Sequence, residues 1–598
     1  MPNTFCESAQ ARSRIEPDFE QTACLASCKL SFSGVLYNRS MLSPNHYESD
    51  AEIILRCYQR FGICFVQRLR GSFALVLEDR ECDLQLAARD PLGTHPLFYA
   101  ETPRQIIFST AVRDLLPCSD VSGEINRAAI ADHLCHRWPC AEETFFEDVK
   151  RLPPGHVLLQ QRGRRALYRY WDPSPIGSAV EWLGESHLGQ FDELFEQAIE
   201  RCLQFGPAGI YLSGGLDSVS IAALAAEKSR QTRTAAPRAL SVSFPHPDCN
   251  EAQIQTAVAA QLGLPIHLTP FETAVGDGGL LTAALSLSAS LATPLQNVWL
   301  PAYVHLATHA ADAGCRVILT GSGGDEWLAV TPRYAADLIR RGDLPGLYSL
   351  YRSIRRSYSL PAILTLRNLM WTNGARPLLG SVAAGGLRRA SPQLLQQRRL
   401  RGLNRHNPGW IAPDPVLRGE LLDRATRQVD EELAAPRTDW YWRDVRTALD
   451  HPLMLMEQEE GFEYGRKVGV RILHPYWDRD LVSFLYRVPP DLLNRGGRSK
   501  SLVRETLARR FPQLGFERQR KVSAEAFFQS IVMTTGAQAW RTLGGARALA
   551  QIGVVDGRRL AADMDAMLRN GNPRFAERIW DVLNLESWTR SNLKWRGI

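Results

Sequence analysis

The 598-residue chain contains no apolar run close to the roughly 18 consecutive residues that a membrane-spanning helix needs. Its first segment, MPNTFCESAQARSRIEPDFE, is polar and lacks the apolar centre of a secretory signal. None of its twelve cysteines lies in a CxxC pair or beside spaced histidines, which argues against a disulfide framework and a zinc site. We therefore expect a cytoplasmic protein with free thiols.

The sequence also lacks two common phosphate-binding signatures, the GK[ST] of a P-loop and the GxGxxG of dinucleotide-binding folds. Charge is nearly balanced overall, with 70 basic and 64 acidic residues. The exception is residues 333–405, which hold fourteen arginines against Asp337 and Asp343. Because no aromatic-interleaved motif accompanies these arginines, no nucleic-acid partner is expected. Either an anionic partner or solvated helix faces would account for them.

The length of the chain requires more than one hydrophobic core. Residues 30–116 contain short apolar or alternating runs separated by Gly, Asp and Pro, which is typical of strands and turns. From about residue 188, the apolar runs GIYL, ALSVSF and CRVIL alternate with helical patterns, which indicates a doubly wound parallel sheet. We predict an α/β protein with a β-rich domain over 1–172, a linker at 172–177 and a parallel-sheet domain over 186–598.

Two glycine-rich segments follow strands of the second domain. Ser213-Gly214-Gly215-Leu216-Asp217-Ser218 joins GIYL to a helix, and Thr320-Gly321-Ser322-Gly323-Gly324-Asp325-Glu326 follows CRVIL. Glycines let a backbone approach a ligand closely, and a helix N-terminus favours phosphate. Loops at the carboxyl ends of parallel strands meet in one crevice, so Asp217 and Asp325 are expected to face a shared Mg²⁺. A turn that only packed a strand against a helix would gain nothing from these serines and aspartates.

Together these segments resemble the pyrophosphatase-type ATP site of the asparagine synthetase family. RLRGSFALVLEDRECDLQLAARDPLGTHPLFYA is similar to its glutaminase domain, a β-rich sandwich of the Ntn type. VGVRILHPYWDRDLV and RSKSLVRETLARRFP are similar to the end of its synthetase domain. The resemblance implies an ATP- and Mg²⁺-dependent carbon–nitrogen ligase. In such an enzyme a carboxylate becomes an acyl-adenylate, pyrophosphate leaves, and an amine then attacks.

The resemblance also assigns roles to individual residues. Lys500 would be the catalytic cation that stabilises negative charge on phosphate and on the tetrahedral intermediate. Asp217 and Asp325 would hold the metal. ATP would be bound by Leu212, Ser213, Gly214, Gly215, Leu216, Asp217, Ser218, Val242, Thr320 and Gly321.

Two features depart from the family pattern. Family glutaminases use a cysteine exposed at position 2, whereas this chain has Pro2, and Cys6 could replace it only after an unusual cleavage. Residues 7–30 are also too few and lack the arginine-bearing loop that grips glutamine. Ser322 stands where asparagine-forming members carry a glutamate that helps to accept a proton from ammonia. Serine cannot accept that proton at neutral pH, so the amine is expected to differ from free ammonia.

Among family members with an inactive glutaminase domain, lasso-peptide cyclases join the N-terminal amine of a peptide to an Asp or Glu side chain. We favour this activity, with a peptide precursor as substrate, residues 333–405 as a wall of its cleft, and a leader-peptide protease and recognition protein as further partners. The alternatives are an ammonia- or glutamine-dependent asparagine synthetase, a β-lactam-synthetase-like enzyme, and a silent relative that binds nucleotide or peptide. The presence of Asp217, Asp325 and Lys500 argues against the silent relative.

Overall fold

The computed structural model describes residues 14–15, 19–45, 47–103, 105–138, 140–173, 180–358, 361–405, 407–435, 439–516, 519 and 521–594. Pro2, Cys6 and residues 174–177 lie outside them, so the expectations placed there stay predictions. Two compact units divide the chain. One comprises Met1–Ile130, Cys140–Asp172 and Lys594–Ile598, and the other comprises Ala131–Pro139 and Pro173–Leu593. Within the described ranges, no helix has both the length and the apolar character that a membrane crossing requires.

The first unit contains two β-sheets. The strands are β1 (Arg14–Ile15), β2 (Gln21–Leu25), β3 (Cys28–Leu36), β4 (Gly71–Asp79), β5 (Leu84–Arg89), β6 (Phe98–Glu101), β7 (Ile106–Ser109), β8 (Val149–Arg151), β9 (His156–Gln161) and β10 (Arg164–Arg169). One sheet is antiparallel with the order β10-β9-β5-β4-β3-β2, and the other has the order β1-β7-β6-β8. Val76 and Ala87 of the first sheet share a core with Tyr99 and Phe108 of the second. The predicted β-rich sandwich is therefore confirmed.

Helices α1 (Arg39–Leu42), α2 (Asp50–Phe61), α3 (Val112–Leu115) and α4 (Arg127–Leu134) accompany these strands in the sequence. The start of α2 shows how the sequence sets a boundary. The Ser49 side chain accepts a hydrogen bond from the Glu52 backbone, and the Glu52 carboxylate accepts one from the Ser49 backbone. This capping box satisfies two helix-end amide groups. The helix ends at Gly62, whose φ of 56° suits glycine.

The second unit is built on a parallel sheet. Its strands are β11 (Ala208–Tyr211), β12 (Arg238–Ser243), β13 (Ile266–Pro270), β14 (Val317–Leu319) and β15 (Arg471–Leu473). They lie in the order β13-β12-β11-β14-β15, and every pair is parallel. The order reverses between β11 and β14, and ligands of doubly wound sheets bind at such a reversal. The predicted doubly wound sheet is confirmed, with β13 and β15 as strands that the sequence patterns did not identify.

Helices make up most of the remaining chain. They are α5 (Gln190–Leu203), α6 (Leu216–Thr232), α7 (Ala252–Leu262), α8 (Phe271–Val275), α9 (Gly279–Ser290), α10 (Leu300–Asp312), α11 (Gly324–Leu328), α12 (Tyr334–Arg341), α13 (Leu344–Ser357), α14 (Ala362–Arg367), α15 (Arg376–Ala390), α16 (Pro392–Asn404), α17 (Pro415–Ala434), α18 (Trp440–Asp450), α19 (Pro452–Val468), α20 (Arg479–Leu485), α21 (Pro490–Leu493), α22 (Ser501–Arg510), α23 (Glu525–Leu543), α24 (Arg547–Gln551), α25 (Gly557–Asn570) and α26 (Ala576–Lys594). A π-helical segment, Asn368–Ala375, joins α14 to α15. Helix α6 follows the first glycine-rich segment, as the sequence predicts.

Candidate active site

The first glycine-rich loop connects β11 to α6 and is held by its own hydroxyl groups. The Ser213 backbone donates to Ser218 Oγ at 3.2 Å, and Ser218 Oγ donates to the Gly215 carbonyl at 3.1 Å. Gly214 has a φ of 80°, a conformation that a residue with a side chain rarely adopts. Gly215 precedes α6 and provides no side-chain cap, so the first amide groups of this 17-residue helix can bind an anion.

The second loop lies against the first one so closely that only glycine fits. A Cβ at Gly324 would lie 2.3 Å from Asp217 Cγ, and a Cβ at Gly321 would lie 3.1 Å from the Ser218 backbone nitrogen. Gly323 adopts a φ of 98° between them. The two glycine-rich segments, which follow β11 and β14, therefore form one continuous site.

Lys500 joins the two loops electrostatically. Its Nζ lies 2.5 Å from Asp217 Oδ2 and 2.7 Å from Asp325 Oδ1. Lys521 also contacts Asp325, at 2.6 Å from Oδ2. The whole chain has only seven lysines, and two of them meet at this one carboxylate. Lys500 itself has a φ of 60° and immediately precedes α22, so backbone geometry as well as charge fixes its position.

The charges of this group are mutually supporting. Burial alone lowers the pKa of Lys500, but Asp217 and Asp325 offset this effect and leave that pKa above its ordinary value. Burial likewise raises the pKa of Asp325, yet Lys500 and Lys521 bring it down to about 2. For Asp217 burial prevails and the pKa is raised, with Lys500 opposing the shift. Asp325 and Lys500 are consequently charged at neutral pH.

Asp217 and Asp325 have the chemistry of magnesium ligands, because hard cations prefer carboxylate oxygens. Asp217 Oδ1 is buried and accepts no hydrogen bond from any residue in the described ranges. Those ranges contain no group of three His, Cys, Asp or Glu side chains placed to hold a metal. Two carboxylates alone would leave most of the coordination to phosphate oxygens and water, which is how Mg²⁺ is usually held beside nucleotides.

A cavity of about 370 Å³ opens beside the two loops, a size that suits a small ligand. It is lined by eight of the ten residues predicted to bind ATP, namely Leu212, Ser213, Gly215, Asp217, Ser218, Val242, Thr320 and Gly321. Gly214 and Leu216, the other two, turn the loop and start α6. Asp325 and Lys500 are placed at the site by their ion pairs rather than by lining the cavity.

Two of the three glutamates that line the cavity, Glu457 and Glu251, have pKa values near neutrality, and the sequence did not identify them. Glu457 on α19 has a pKa raised to about 7 by burial, with a further contribution from the charge of Glu326. Glu251, which precedes α7, has a pKa raised to about 7 by burial. Its Oε1 would lie 3.2 Å from a Cβ at Gly214, so it faces the first glycine-rich loop. Each therefore titrates near neutral pH.

The helix that carries Glu457 is held by Glu460 one turn later. The Glu460 carboxylate accepts hydrogen bonds from the backbone of Gln296 at 3.2 Å and of Asn297 at 3.1 Å. Both glutamates line the cavity, but Glu460 is buried and bonded to backbone amide groups, whereas Glu457 is exposed. No local pattern in EQEEGFE distinguishes the two, which is why the sequence could not identify Glu457.

Ser322 and two residues that follow β15, His474 and Trp477, also line the cavity. Trp477 Nε1 donates to Ser322 Oγ at 3.2 Å, and Thr320 Oγ1 lies 2.6 Å from His474 Nδ1. Burial lowers the pKa of His474 to about 4, so this imidazole is neutral and positions Thr320. Arg201 holds the following turn by ion pairs to Asp478 at 2.6 Å and Asp480 at 2.8 Å.

Comparison with known proteins gives two family matches. The sequence model of the family described as asparagine synthase matches residues 190–590. The sequence model of the glutamine amidotransferase domain family matches residues 24–171. Amidase chyE of Penicillium rubens is 29% identical over 309 residues, covering 49% of this chain and 45% of that protein. Asparagine synthetase [glutamine-hydrolyzing] 2 of Bacillus subtilis is 27% identical over 322 residues, covering 49% of this chain and 42% of that protein. The chain therefore spans less than half the length of either relative.

Proposed function

This chain belongs to the asparagine synthase family, and from that membership we propose that it is an ATP-dependent, AMP-forming carbon–nitrogen ligase. The observation that carries the proposal is the Asp217–Lys500–Asp325 ion group at the reversal of the parallel sheet. Burying charges is costly, and a protein that only bound nucleotide would not need this arrangement. The alternative of a catalytically inactive relative that only binds nucleotide or peptide is therefore disfavoured.

In the first step, an oxygen of the substrate carboxylate bonds to the α-phosphorus of ATP. The bond from that phosphorus to pyrophosphate breaks, which leaves an acyl-adenylate. The amide groups of the first loop and of α6 stabilise the leaving pyrophosphate, and Lys500 adds a positive charge. Asp217 and Asp325 would hold Mg²⁺, which when bound supplies further charge neutralisation.

In the second step, an amine attacks the acyl carbonyl carbon and AMP leaves with the bonding electrons. The new amide nitrogen must lose a proton, and the hydroxyl of Ser322 cannot accept it at neutral pH. Glu457 lines the same cavity as Ser322, and its pKa of about 7 suits a general base. We assign the proton to the Glu457 carboxylate.

The substrate we propose is a peptide whose own amine and Asp or Glu side chain become joined as a macrolactam. Ser322 supports this choice, because a serine at this position cannot accept a proton from free ammonia at neutral pH. Asparagine formation from aspartate and ammonia, and a β-lactam-type ring closure, are the alternatives. Each needs the same adenylation but a different amine.

Mass spectrometry distinguishes these activities. With ATP and Mg²⁺, a precursor peptide should lose the elements of one water while AMP and pyrophosphate accumulate. Faster formation of free asparagine from aspartate and ammonia would assign the protein to the asparagine synthetases. Absence of ATP–pyrophosphate exchange with every carboxylate tested would instead support the silent relative.

A further inference from the structure

Helices α13 to α16 and the π-helical segment between α14 and α15 carry an unusual charge. From Leu344 to Arg405 the chain has eleven arginines and no Asp, Glu or Lys. Ten of these arginines are exposed, namely Arg352, Arg356, Arg367, Arg376, Arg388, Arg389, Arg398, Arg399, Arg401 and Arg405. We call the exposed side of these helices the arginine surface.

Five of its ten exposed arginines have no acidic partner among the described residues. Arg367, Arg376, Arg389, Arg398 and Arg399 form no ion pair with any residue that the structure describes. Like charges on adjacent helices repel one another, which costs free energy in the isolated protein. An anionic partner would remove that cost.

The same surface exposes large apolar side chains. Ile363 is 77% exposed, Val382 is 74% exposed and Trp371 is 55% exposed. Ile363, Leu366 and Met370 follow the three- and four-residue spacing of one helix face, and all are exposed. Contiguous apolar groups rimmed by charge mark a surface that binds another molecule.

The middle of this region, from the π-helical segment to α15, buries few side chains. Leu369 is buried, and a Cβ at Gly374 would lie 2.5 Å from Ile339 Cδ1 of α12. The next helix, α15, buries none of its fifteen residues. Helices normally gain most of their stability from a packed apolar face, so α15 lacks the contacts that usually stabilise such an element.

The arginine surface reaches the loop that positions Lys500. Arg498 Nη1 donates to the Arg356 carbonyl at 2.7 Å, and the Ser499 backbone donates to Ser357 Oγ at 3.0 Å. Arg352 Nε would lie 3.3 Å from a Cβ at Gly497. A chain bound along these helices would therefore lead towards the reacting groups.

We propose that the arginine surface is a docking site for an acidic, apolar-containing segment of the polypeptide substrate. This assignment rests on the proposed function, since it identifies the substrate as a polypeptide. Carboxylates pair with guanidinium groups through two hydrogen bonds, and apolar side chains of the segment cover Ile363, Leu366 and Val382. Docking at a distance from the reacting carbonyl raises its local concentration at the site.

The observations favour a polypeptide over the other anionic partners. A nucleic acid would neutralise the arginines but leave the exposed isoleucine, valine and leucine side chains uncovered. An anionic membrane would match both features. The continuity with Gly497, Arg498 and Ser499 favours a partner that enters the active site, which a membrane cannot do.

The test measures binding to the full chain by fluorescence anisotropy without ATP. The probe is a labelled synthetic peptide in which Asp and Glu alternate with Leu and Ile. Two variants remove the proposed contacts, R376S/R389S/R398S and I363S/V382S. The control R558S/R569S removes two exposed arginines of α25, a helix outside the arginine surface. Anionic phospholipid vesicles and duplex DNA serve as competing partners.

We expect both docking variants to weaken peptide binding by at least about tenfold, and the control to leave it unchanged. Added salt should weaken binding to the parent protein, because exposed ion pairs are screened. Unchanged binding by R376S/R389S/R398S, or binding of vesicles or DNA in preference to the peptide, would overturn the assignment. Since no ATP is present, this outcome is independent of whether the protein forms acyl-adenylates.

Discussion

Gly324 approaches Asp217 so closely that a Cβ on the glycine would lie 2.3 Å from the aspartate Cγ. No pair of nonbonded carbon atoms tolerates that distance. The carboxylate that pairs with Lys500 thus occupies the space that a side chain at position 324 would take. The missing side chain at Gly324 in the second loop therefore leaves the space in which the Asp217 carboxylate of the first loop lies.

Replacement of Gly324 by Ala should therefore displace Asp217. A shift of about 1 Å in such a group can lower a reaction rate by roughly two orders of magnitude. We expect ATP–pyrophosphate exchange to fall by about that factor, while circular dichroism remains unchanged. Gly419→Ala is the control, because a Cβ there meets nothing and α17 should become slightly more stable. Equal exchange rates for the two variants would contradict the proposed crowding.

Asp217→Asn and Asp325→Asn test the metal assignment. Each change removes one carboxylate charge from the Mg²⁺ site while preserving the size of the side chain. We expect adenylate formation to fall by about two to three orders of magnitude, as when a single charge-stabilising group is lost. Asp565→Asn, on the exposed side of α25, should have no effect. Near-normal turnover by Asp325→Asn would refute its role.

Lys500→Ala tests the cation between the two aspartates. The variant should stop loss of water from the peptide even where pyrophosphate exchange survives, because Lys500 is also proposed to stabilise the tetrahedral intermediate of amide formation. Without Mg²⁺, the free energy of unfolding should fall by about 2 kcal/mol, less than for a fully buried pair because Asp325 is 41% exposed. Urea titrations with and without Mg²⁺ measure this. Full amide formation by Lys500→Ala would disprove the assignment.

Glu457→Gln tests the proposed base. Because the pKa of Glu457 is raised to about 7, the carboxyl is protonated below that pH and becomes a base above it. The rate of amide formation should therefore rise through pH 7 in the parent protein and stay low and flat in the variant. Hydroxylamine is largely uncharged at neutral pH, and the electron-withdrawing oxygen makes the nitrogen of its adduct acidic enough to lose its proton to water, so hydroxamate formation should survive. Glu463→Gln on the same helix is the control, and a loss of hydroxamate formation in Glu457→Gln would point to a structural role.

Glu251→Gln tests the charge beside the phosphate loop. Its carboxyl ionises as pH rises through about 7, which places a negative charge beside the loop where ATP phosphates are proposed to bind. The KM for ATP should increase above this pH in the parent protein but not in the variant. The folded pKa exceeds the ordinary value of 4.5, so ionisation destabilises the fold at high pH. The variant should be the more stable protein above pH 7, with no difference below pH 4.5.

The sequence reveals those parts of the site whose residues are neighbours along the chain. Asp217 and Asp325 each lie in a glycine-rich segment after an apolar run, so local patterns place both at the ends of strands. Lys500 was found only through family resemblance, because a single lysine among GGRSKS has no local signature. Glu251 and Glu457 reach the cavity through the packing of whole helices. Their raised pKa values come from burial, which periodicity alone does not report.

The boundaries of helices and strands are likewise predictable where local residues set them, and not where tertiary pairing does. The capping box at Ser49 and the glycine at Gly62 define α2 locally, so its limits were predictable. β15 has only three residues, Arg471–Leu473, and exists because it pairs with β14 across the sheet. Short strands of this kind depend on tertiary pairing, so the sequence around Ile472 showed no strand signal of its own.

The ion group is assembled from distant parts of the chain. Lys500 and Asp217 are 283 positions apart, and Lys521 and Asp325 are 196 positions apart. Closing such long loops costs entropy before any contact is gained, so these pairings form late during folding. During synthesis, the first loop emerges from the ribosome long before the lysine that neutralises it. A nascent chain therefore carries both aspartates without their lysine partners until synthesis has passed residue 500.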